Sequence, residues 1–505
     1  RNSGRSLRPL AKVLTRQLRP RLYRPPSHLR LVANLLSSMR SRSLITLLVS
    51  LTLGQLSVRA QLQPDSLQQE EIQTPIPHLL SPDSIPKSAL LRIDSLAKWG
   101  ITQGAYPGCQ LFAFYRGEVI YDKAFGTLTS LTGAKSEPVT THTLYDLASV
   151  TKAAATTPAL MLLVAEGKVK LNAPLLSYLP ETKESLLGMV TLRQLLHHQS
   201  GLPAGINFYT DLIDESSYEG SLIRYKYFAG GVPLVGKAWG NPNFSFREEY
   251  ISDKPTEQHT LRFGQKKYLA PSFKDRMMER ILLARVSSDK AYRYSDLNFI
   301  LLQQVIERVT GEPLDRYVQE RIYKPIRARL YFNPLEHGVK LHAIAPSQQD
   351  NFFRREILRG TVDDEAAACL GGVSGNAGLF GSAGELAKVC QLLLQHGAWG
   401  EKQVIPTATV RLFTETNGAG GIRALGFDKP RSTGGPTGIY ASSRTYGHLG
   451  FTGTCFWVDP EYDLVFVFLS NRTYPSRQNT TLIRERLRQR LQDLVYEAIG
   501  ATTPR

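Results

Sequence analysis

Cysteine, methionine and tryptophan are scarce in this 505-residue chain, at four, five and four residues, and acid is missing altogether from its first 60 positions. Each shortage excludes something. Cys109, Cys369, Cys390 and Cys455 are far apart and form no C-x-x-C pair, so neither a cysteine metal site nor a dithiol redox motif is expected. Cys109 and Cys455 fall in apolar, strand-like runs, where buried free thiols are the expectation. The ten histidines make no cluster with ligand spacing, and no metal or other cofactor is expected. No apolar run reaches the length of a membrane span. Gly371–Gly378 is rich in glycine, yet no G-K-[ST] follows it, which excludes a phosphate loop.

The missing acid also explains the charge. Twelve of the 61 basic residues lie within residues 1–60, so the rest of the chain carries 49 against 44 acidic ones. The net charge of +17 is thus mainly a terminal feature, and no nucleic-acid partner is expected. From Met39 onward, Arg40 and Arg42 form a short basic region and Leu44 to Leu56 an apolar one. Val58-Arg59-Ala60 then offers small side chains where a signal peptidase reads. Residues 39–60 are therefore read as a signal peptide cleaved after Ala60, and residues 1–38 as an upstream extension. Residues 61–87, rich in Gln, Pro, Ser and Asp, are read as a linker. An exported protein, periplasmic or secreted, is the expectation.

With 42% hydrophobic and 21% charged residues, the remainder can bury a sizeable core. An amphipathic helix carries Leu90, Leu91, Ile93, Leu96 and Trp99 on one side. Cys109–Tyr115 and Val119–Phe125 flank Arg116-Gly117, the pattern of a β-hairpin. A helix from Ala153 to Glu166 follows, with a kink expected at Pro158. Residues 204–290 form a loop-rich insertion containing Tyr209, Tyr225, Tyr227, Phe228, Trp239, Phe244 and Tyr250. These aromatics either line a sugar- or peptide-binding edge or pin the insertion to the body. Helical spacing returns over Asn298–Val309 and Gly384–His396. A second hairpin of buried strands is expected over Cys455–Val458 and Leu464–Leu469, and a last helix over about Thr480–Ile499. Strands at both ends with helices between them predict an α/β (α+β) fold. Its antiparallel sheet is completed by the two ends, flanked by helices, and interrupted by an inserted helical lobe.

Three short motifs carry chemistry. Ser149 and Lys152, in Tyr145-Asp146-Leu147-Ala148-Ser149-Val150-Thr151-Lys152, lie three apart at the mouth of a helix, which brings them to one face. A serine hydroxyl needs a neighbouring base, and a helix start offers unpaired N–H groups to developing negative charge. Alone, S-x-x-K is common on exposed helix starts. Further on, Tyr294-Ser295-Asp296 precedes a helix, and His448-Leu449-Gly450 precedes the second hairpin. His197 and His198, within Leu195–Pro203, lie near a helix end and are read as structural, capping it.

In this order the motifs resemble the S-x-x-K, Y-x-N and [KH]-x-G of the penicillin-recognising serine hydrolases. That family includes class C β-lactamases, D-alanyl-D-alanine carboxypeptidases, D-aminopeptidases and related esterases. The resemblance runs from about Ile85 to Gly500 and takes in Leu195–Pro203, Gly371–Gly378 and Tyr446–Thr454. Tyr292–Leu297 and Leu469–Arg472 resemble a narrower group, found alone or fused behind family-3 glycoside hydrolases in Gram-negative bacteria. The resemblance implies a beta-lactamase-like domain over residues 88–500 with Ser149 as the acylated nucleophile. Lys152 and Tyr294 would share the proton relay, with Tyr294 deprotonated or poised by the ammonium. The backbone N–H groups of Ser149 and Phe451 would form the oxyanion hole, and Asp296, His448 and Gly450 would border the substrate. The implied reaction is hydrolysis of an ester or amide through an acyl-enzyme, without a cofactor. Its substrate would be a small molecule or peptide, such as a cell-wall peptide or a D-amino acid derivative.

Two departures bear on substrate. Asp296 stands where the family usually has an amide, and His448 where it often has lysine. One positive charge is lost and one negative gained, which disfavours anionic acyl donors. A module that binds wall peptides without turnover, or an accessory module of a glycosidase system, is the alternative reading.

Overall fold

Two hairpins from opposite ends of the chain meet in one sheet. The computed structural model describes residues 79–129, 136–418, 421–431 and 433–502. The expected upstream extension, signal peptide and linker up to residue 78 lie outside the described residues. Helix α1 (Lys87–Thr102) leads into strands β1 (Gly108–Tyr115) and β2 (Glu118–Gly126). Arg116 and Gly117 between them take φ of 46° and 87°, the positive values that a tight two-residue hairpin turn requires.

The C-terminal part supplies the other strands: β6 (Arg423–Ala424), β7 (Phe427–Asp428), β8 (Tyr446–Leu449), β9 (Cys455–Asp459) and β10 (Leu464–Ser470). Three short strands, β3 (Tyr145–Asp146), β4 (Tyr331–Phe332) and β5 (Leu379–Gly381), form a separate small sheet. The main sheet runs β6-β7-β8-β9-β10-β1-β2, antiparallel throughout. The period-two alternation of its central strands divides the core. Leu111, Trp457 and Phe466 face α1 and the C-terminal helix α5 (Leu487–Ala498). Phe112, Phe456 and Val467 face the core that contains the nucleophile helix and α4 (Ala383–Leu394). Both faces are covered, so these strands read as unbroken apolar runs. All four cysteines are buried and free.

Several boundaries differ from expectation. The body already includes residues read as linker, since Leu80 N donates to Ile499 O at 2.9 Å. The segment after Ser149 opens with a wide π turn, Lys152–Thr156, before helix α2 (Thr157–Ala165). Pro158 therefore sits in the first turn of α2, where the π turn passes into the α-helix. The last helix is two, Thr481–Arg484 and α5, broken where Arg486 takes φ 50°.

The insertion is more regular than its sequence suggests. It holds two three-stranded sheets of two-residue strands and a helix at Phe273–Leu282. Phe246 and Phe263 pack against Phe353 at 5.6 and 5.3 Å, and Phe244 against Phe352 at 5.7 Å, so these rings pin it to the body. No helix among the described residues is long and apolar enough to cross a membrane.

Candidate active site

The loop after β3 is held from three sides. Ala148 takes φ 48°, an uncommon value for a residue with a Cβ. Its N–H donates to Asp146 Oδ1 at 2.8 Å, and Asp363 N donates to Asp146 Oδ2 at 2.6 Å. Asp146 is buried, and burial together with the Asp363 charge pushes its pKa up to about 7 despite those two N–H donors. Thr151 Oγ1 donates to Ala148 O at 2.6 Å and accepts from Leu379 N at 3.1 Å. Val150, Thr151 and Lys152 each donate their N–H three residues back, at 3.1, 3.0 and 3.1 Å. In so tight a turn, side chains at i and i+3 eclipse, which aligns Lys152 with Ser149.

Lys152 is fully buried, and its ammonium has three acceptors. It donates to Ser149 Oγ at 3.0 Å, Asp296 Oδ1 at 2.6 Å and the Asn376 carbonyl at 2.9 Å. Burial works against its charge, but Asp296 and Tyr294 outweigh burial and hold its pKa above the ordinary lysine value. The Gly371–Gly378 segment finds its use here, lying along the π turn so that Asn376 O meets Lys152 and Gly375 O accepts from Thr156 Oγ1 at 2.7 Å.

Tyr294 lies across the same ammonium, with Lys152 Nζ 5.2 Å from the ring centroid. Burial raises the phenol pKa; hydrogen bonds with Lys152 and Ser149 pull it down without reversing the shift. Asp296 is the first residue of helix α3 (Asp296–Thr310), anchored through its N–H to Ala204 O at 3.0 Å.

The histidine pair splits. His197 is the C-cap residue of the short helix Leu192–Leu196, the structural place expected for it. His198 is the next residue, at φ 55°, and closes the same helix end as expected: its N–H donates to Leu195 O at 3.1 Å and the Gln199 N–H to Gln194 O at 2.8 Å, but its side chain does more. Its ring stacks on Tyr294 at 4.4 Å, and its Nδ1 accepts from Ser295 N at 3.0 Å, so it supports the tyrosine from behind. Burial drives its pKa well below the usual imidazole value and keeps it neutral.

His448 is buried on β8 and donates through Nδ1 to the Leu449 carbonyl at 2.7 Å. Its Nε2 is then an unprotonated acceptor, buried and without a partner among the described residues. Burial lowers its pKa to about 4, although Asp428 nearby opposes the shift.

The turn after His448 is laced to the nucleophile loop. Thr452 Oγ1 donates to Asp146 O at 2.7 Å and Thr454 Oγ1 to Leu147 O at 2.9 Å. A Cβ on Gly450 would stand 1.9 Å from Thr454 Oγ1 and 2.6 Å from Leu147 O, so this closure requires glycine. Phe451 lies in the turn so laced to the nucleophile loop and is 45% exposed. Among the described residues, neither the Ser149 nor the Phe451 N–H is engaged by a protein acceptor.

Sequence reasoning missed Asp146, Asn376, His198 and Thr452 as parts of the site. Glycine richness was the one local signal, for Asn376. The other three act through contacts across the fold. No group of three potential metal ligands gathers among the described residues.

An antiparallel sheet flanked by helices, with a buried ammonium bonded to a serine hydroxyl, defines a serine hydrolase of beta-lactamase-like fold. The sequence model of the beta-lactamase family matches residues 93–490, and the chain belongs to that family. A putative D-alanyl-D-alanine carboxypeptidase of Escherichia coli (strain K12) is 32% identical over 410 residues, which is 76% of this chain and 83% of that protein. An N-acetylmuramyl-L-alanine amidase of Bacillus subtilis is 29% identical over 409 residues, 76% of this chain and 81% of the other. Among solved structures, EstCE1, a hydrolase with promiscuous acyltransferase activity, aligns with a TM-score of 0.55 at 18% identity. That alignment covers 81% of this chain and 99% of EstCE1. At that identity it speaks for the fold alone.

Proposed function

We propose that the protein hydrolyses an amide of a cell-wall peptide through an acyl-enzyme on Ser149, outside the cytoplasm. The observation that carries this reading is the single ammonium of Lys152 bonded at once to Ser149 and Asp296. A buried ammonium kept charged beside a hydroxyl lowers the cost of forming the alkoxide. As Ser149 attacks the carbonyl carbon, its proton passes to Lys152 while Lys152 gives one to Asp296. The Tyr294 phenol protonates the departing nitrogen, and the proton held on Asp296 returns through Lys152 to the phenolate. The net result is a Ser149 ester and a neutral amine. Water then attacks the ester, and its proton travels the same path back to Ser149 Oγ. The free N–H groups of Ser149 and Phe451 are suited to stabilise the oxyanion in both steps. A module without turnover would have little use for a buried charge aimed at a hydroxyl.

The two relatives point to different amides, one next to a terminal carboxylate and one without it. Charge favours the second. His448 is neutral, Arg477 is paired with Asp363 and Glu365, and Arg423 with Asp428. Arg472 is buried and bonded to Asn479 O at 2.6 Å. Among the described residues Arg472 has no carboxylate partner and two nitrogens of Arg423 have no hydrogen-bond partner, but both guanidinium groups are buried, while the part-exposed Asp296 adds negative charge. Like charges in a partly dry cleft cost on the order of 1 kcal/mol or more. Neutral amides, or donors with a free amine, are therefore the preferred substrates. Labelling with a fluorophosphonate probe, followed by a panel of wall-peptide amides with and without a terminal carboxylate, tests the reading. A wild-type protein that is not labelled at Ser149 and cleaves no amide overturns it.

A further inference from the structure

A cavity of about 560 Å³ opens beside the relay, with Asp296 in its wall and part of the 204–290 insertion over it. The volume is in the range of sites that hold a small ligand. Its lining is unusual in carrying five primary amides, Asn207, Gln348, Gln349, Asn351 and Gln478, together with Tyr225. Gln348 Oε1 is buried and has no partner among the described residues. Tyr225 is 82% exposed, unlike the insertion's pinning phenylalanines. A broad aromatic face left in water beside a cavity forgoes the burial that normally places such rings.

Three occupants fit badly. An extended peptide would add to a sheet edge, but the insertion's edge strands, Ile223–Arg224 and Val232–Pro233, are two residues long and one contains proline. An anion would need a cation, and Arg477, the cation in the wall, is already paired with Asp363 and Glu365. A purely apolar group would strand the amides without partners. A pyranose ring suits all of it. Its C–H face stacks on a tyrosine, and its hydroxyls and acetamide donate to and accept from side-chain amides, which do both.

We propose that this cavity is a subsite for an N-acetylated hexose carried on the peptide substrate, with Tyr225 as its stacking platform. The inference rests on the peptide-amide reading above, and names the second part of that substrate. The test measures binding to the full chain carrying Ser149→Ala, by calorimetry, with two probes: N-acetylmuramoyl-L-alanyl-D-isoglutamine and N-acetyl-L-alanyl-D-isoglutamine. The sugar-bearing probe should bind about tenfold more tightly, the worth of one good aromatic contact, and adding Tyr225→Ala should remove most of that preference. Because Tyr225 is exposed, its replacement leaves the fold intact. Equal affinities, no binding of either probe, or a preference that survives Tyr225→Ala would each overturn the subsite. Failure of the hydrolase reading shows separately, as a wild type that neither labels nor turns over peptide amides.

Discussion

Lys152 Nζ lies 2.6 Å from Asp296 Oδ1, with the lysine wholly out of water and the carboxylate side chain about a third exposed, at 32%. The pair spans 144 residues and joins the nucleophile turn to the first residue of α3. It sets a carboxylate against the same ammonium that donates to Ser149 Oγ at 3.0 Å.

Loss of any relay member should be close to loss of the whole. Ser149→Ala is expected to abolish hydrolysis, and Lys152→Ala and Tyr294→Phe each to lower kcat by ~10³-fold or more, because the groups act as one unit. Single-turnover kinetics on a peptide amide measure this. Near-wild-type rates in Tyr294→Phe would remove the phenol from the mechanism.

Asp296→Asn should change both protonation and selectivity. Without the carboxylate, burial is the dominant influence left on Lys152 and pulls its pKa down, so the alkaline limb of kcat/KM moves to lower pH. Rates on every substrate should fall, because Asp296 holds a proton in the relay, but cephalosporin turnover should fall less than that of a neutral ester or an amine-bearing D-amino amide. Efficient cephalosporin hydrolysis by wild type, with all three rates falling equally in the variant, would refute the charge argument.

His197 and His198 should part company. His197→Gln is expected to lower Tm and leave kcat of the folded protein unchanged. His198→Gln should lower Tm and also cut kcat by ~10- to 100-fold, since it frees the ring of Tyr294 to shift. Equal rates in the two variants at matched folded fractions would show that the stacking has no catalytic weight.

His448 should stay neutral across the working range. Its folded pKa of about 4 is below the ordinary 6.5, so the fold disfavours the imidazolium. The stability it contributes is complete above the unfolded value and is lost as pH falls toward about 4. An NMR titration should find its Cε1 proton unmoved between about pH 5.5 and 8, the range where an ordinary imidazole titrates. A midpoint near 6.5 would contradict the buried, neutral assignment.

Cleavage after Ala60 should give a mature chain that begins at Gln61, as mass spectrometry of the purified N-terminus would read. An intact Met39–Ala60 segment on the exported protein would disprove processing.

Much of this protein is local in origin, and that part was legible in the chain. The hairpin at Arg116-Gly117, the buried strands of β9 and β10, and the Ser149–Lys152 spacing depend on periodicity and turn chemistry within a few residues. The order of the three motifs was enough to place the family. The single last helix expected over about Thr480–Ile499 was misread, because nothing in its apolar spacing marks the left-handed turn at Arg486. Protonation was legible only through the resemblance, which already implied a neutral His448 and a charged Lys152 but not the burial around them. That Asp296 holds Lys152 charged followed from the motif order and not from residues near Lys152, and nothing near Tyr294 places His198 beneath it. The same holds for Tyr225 and the phenylalanines of the insertion, which look alike in the chain. Burial, charge neighbours and the partner of each ring are properties of contacts between distant segments, and only the folded chain brings those segments together.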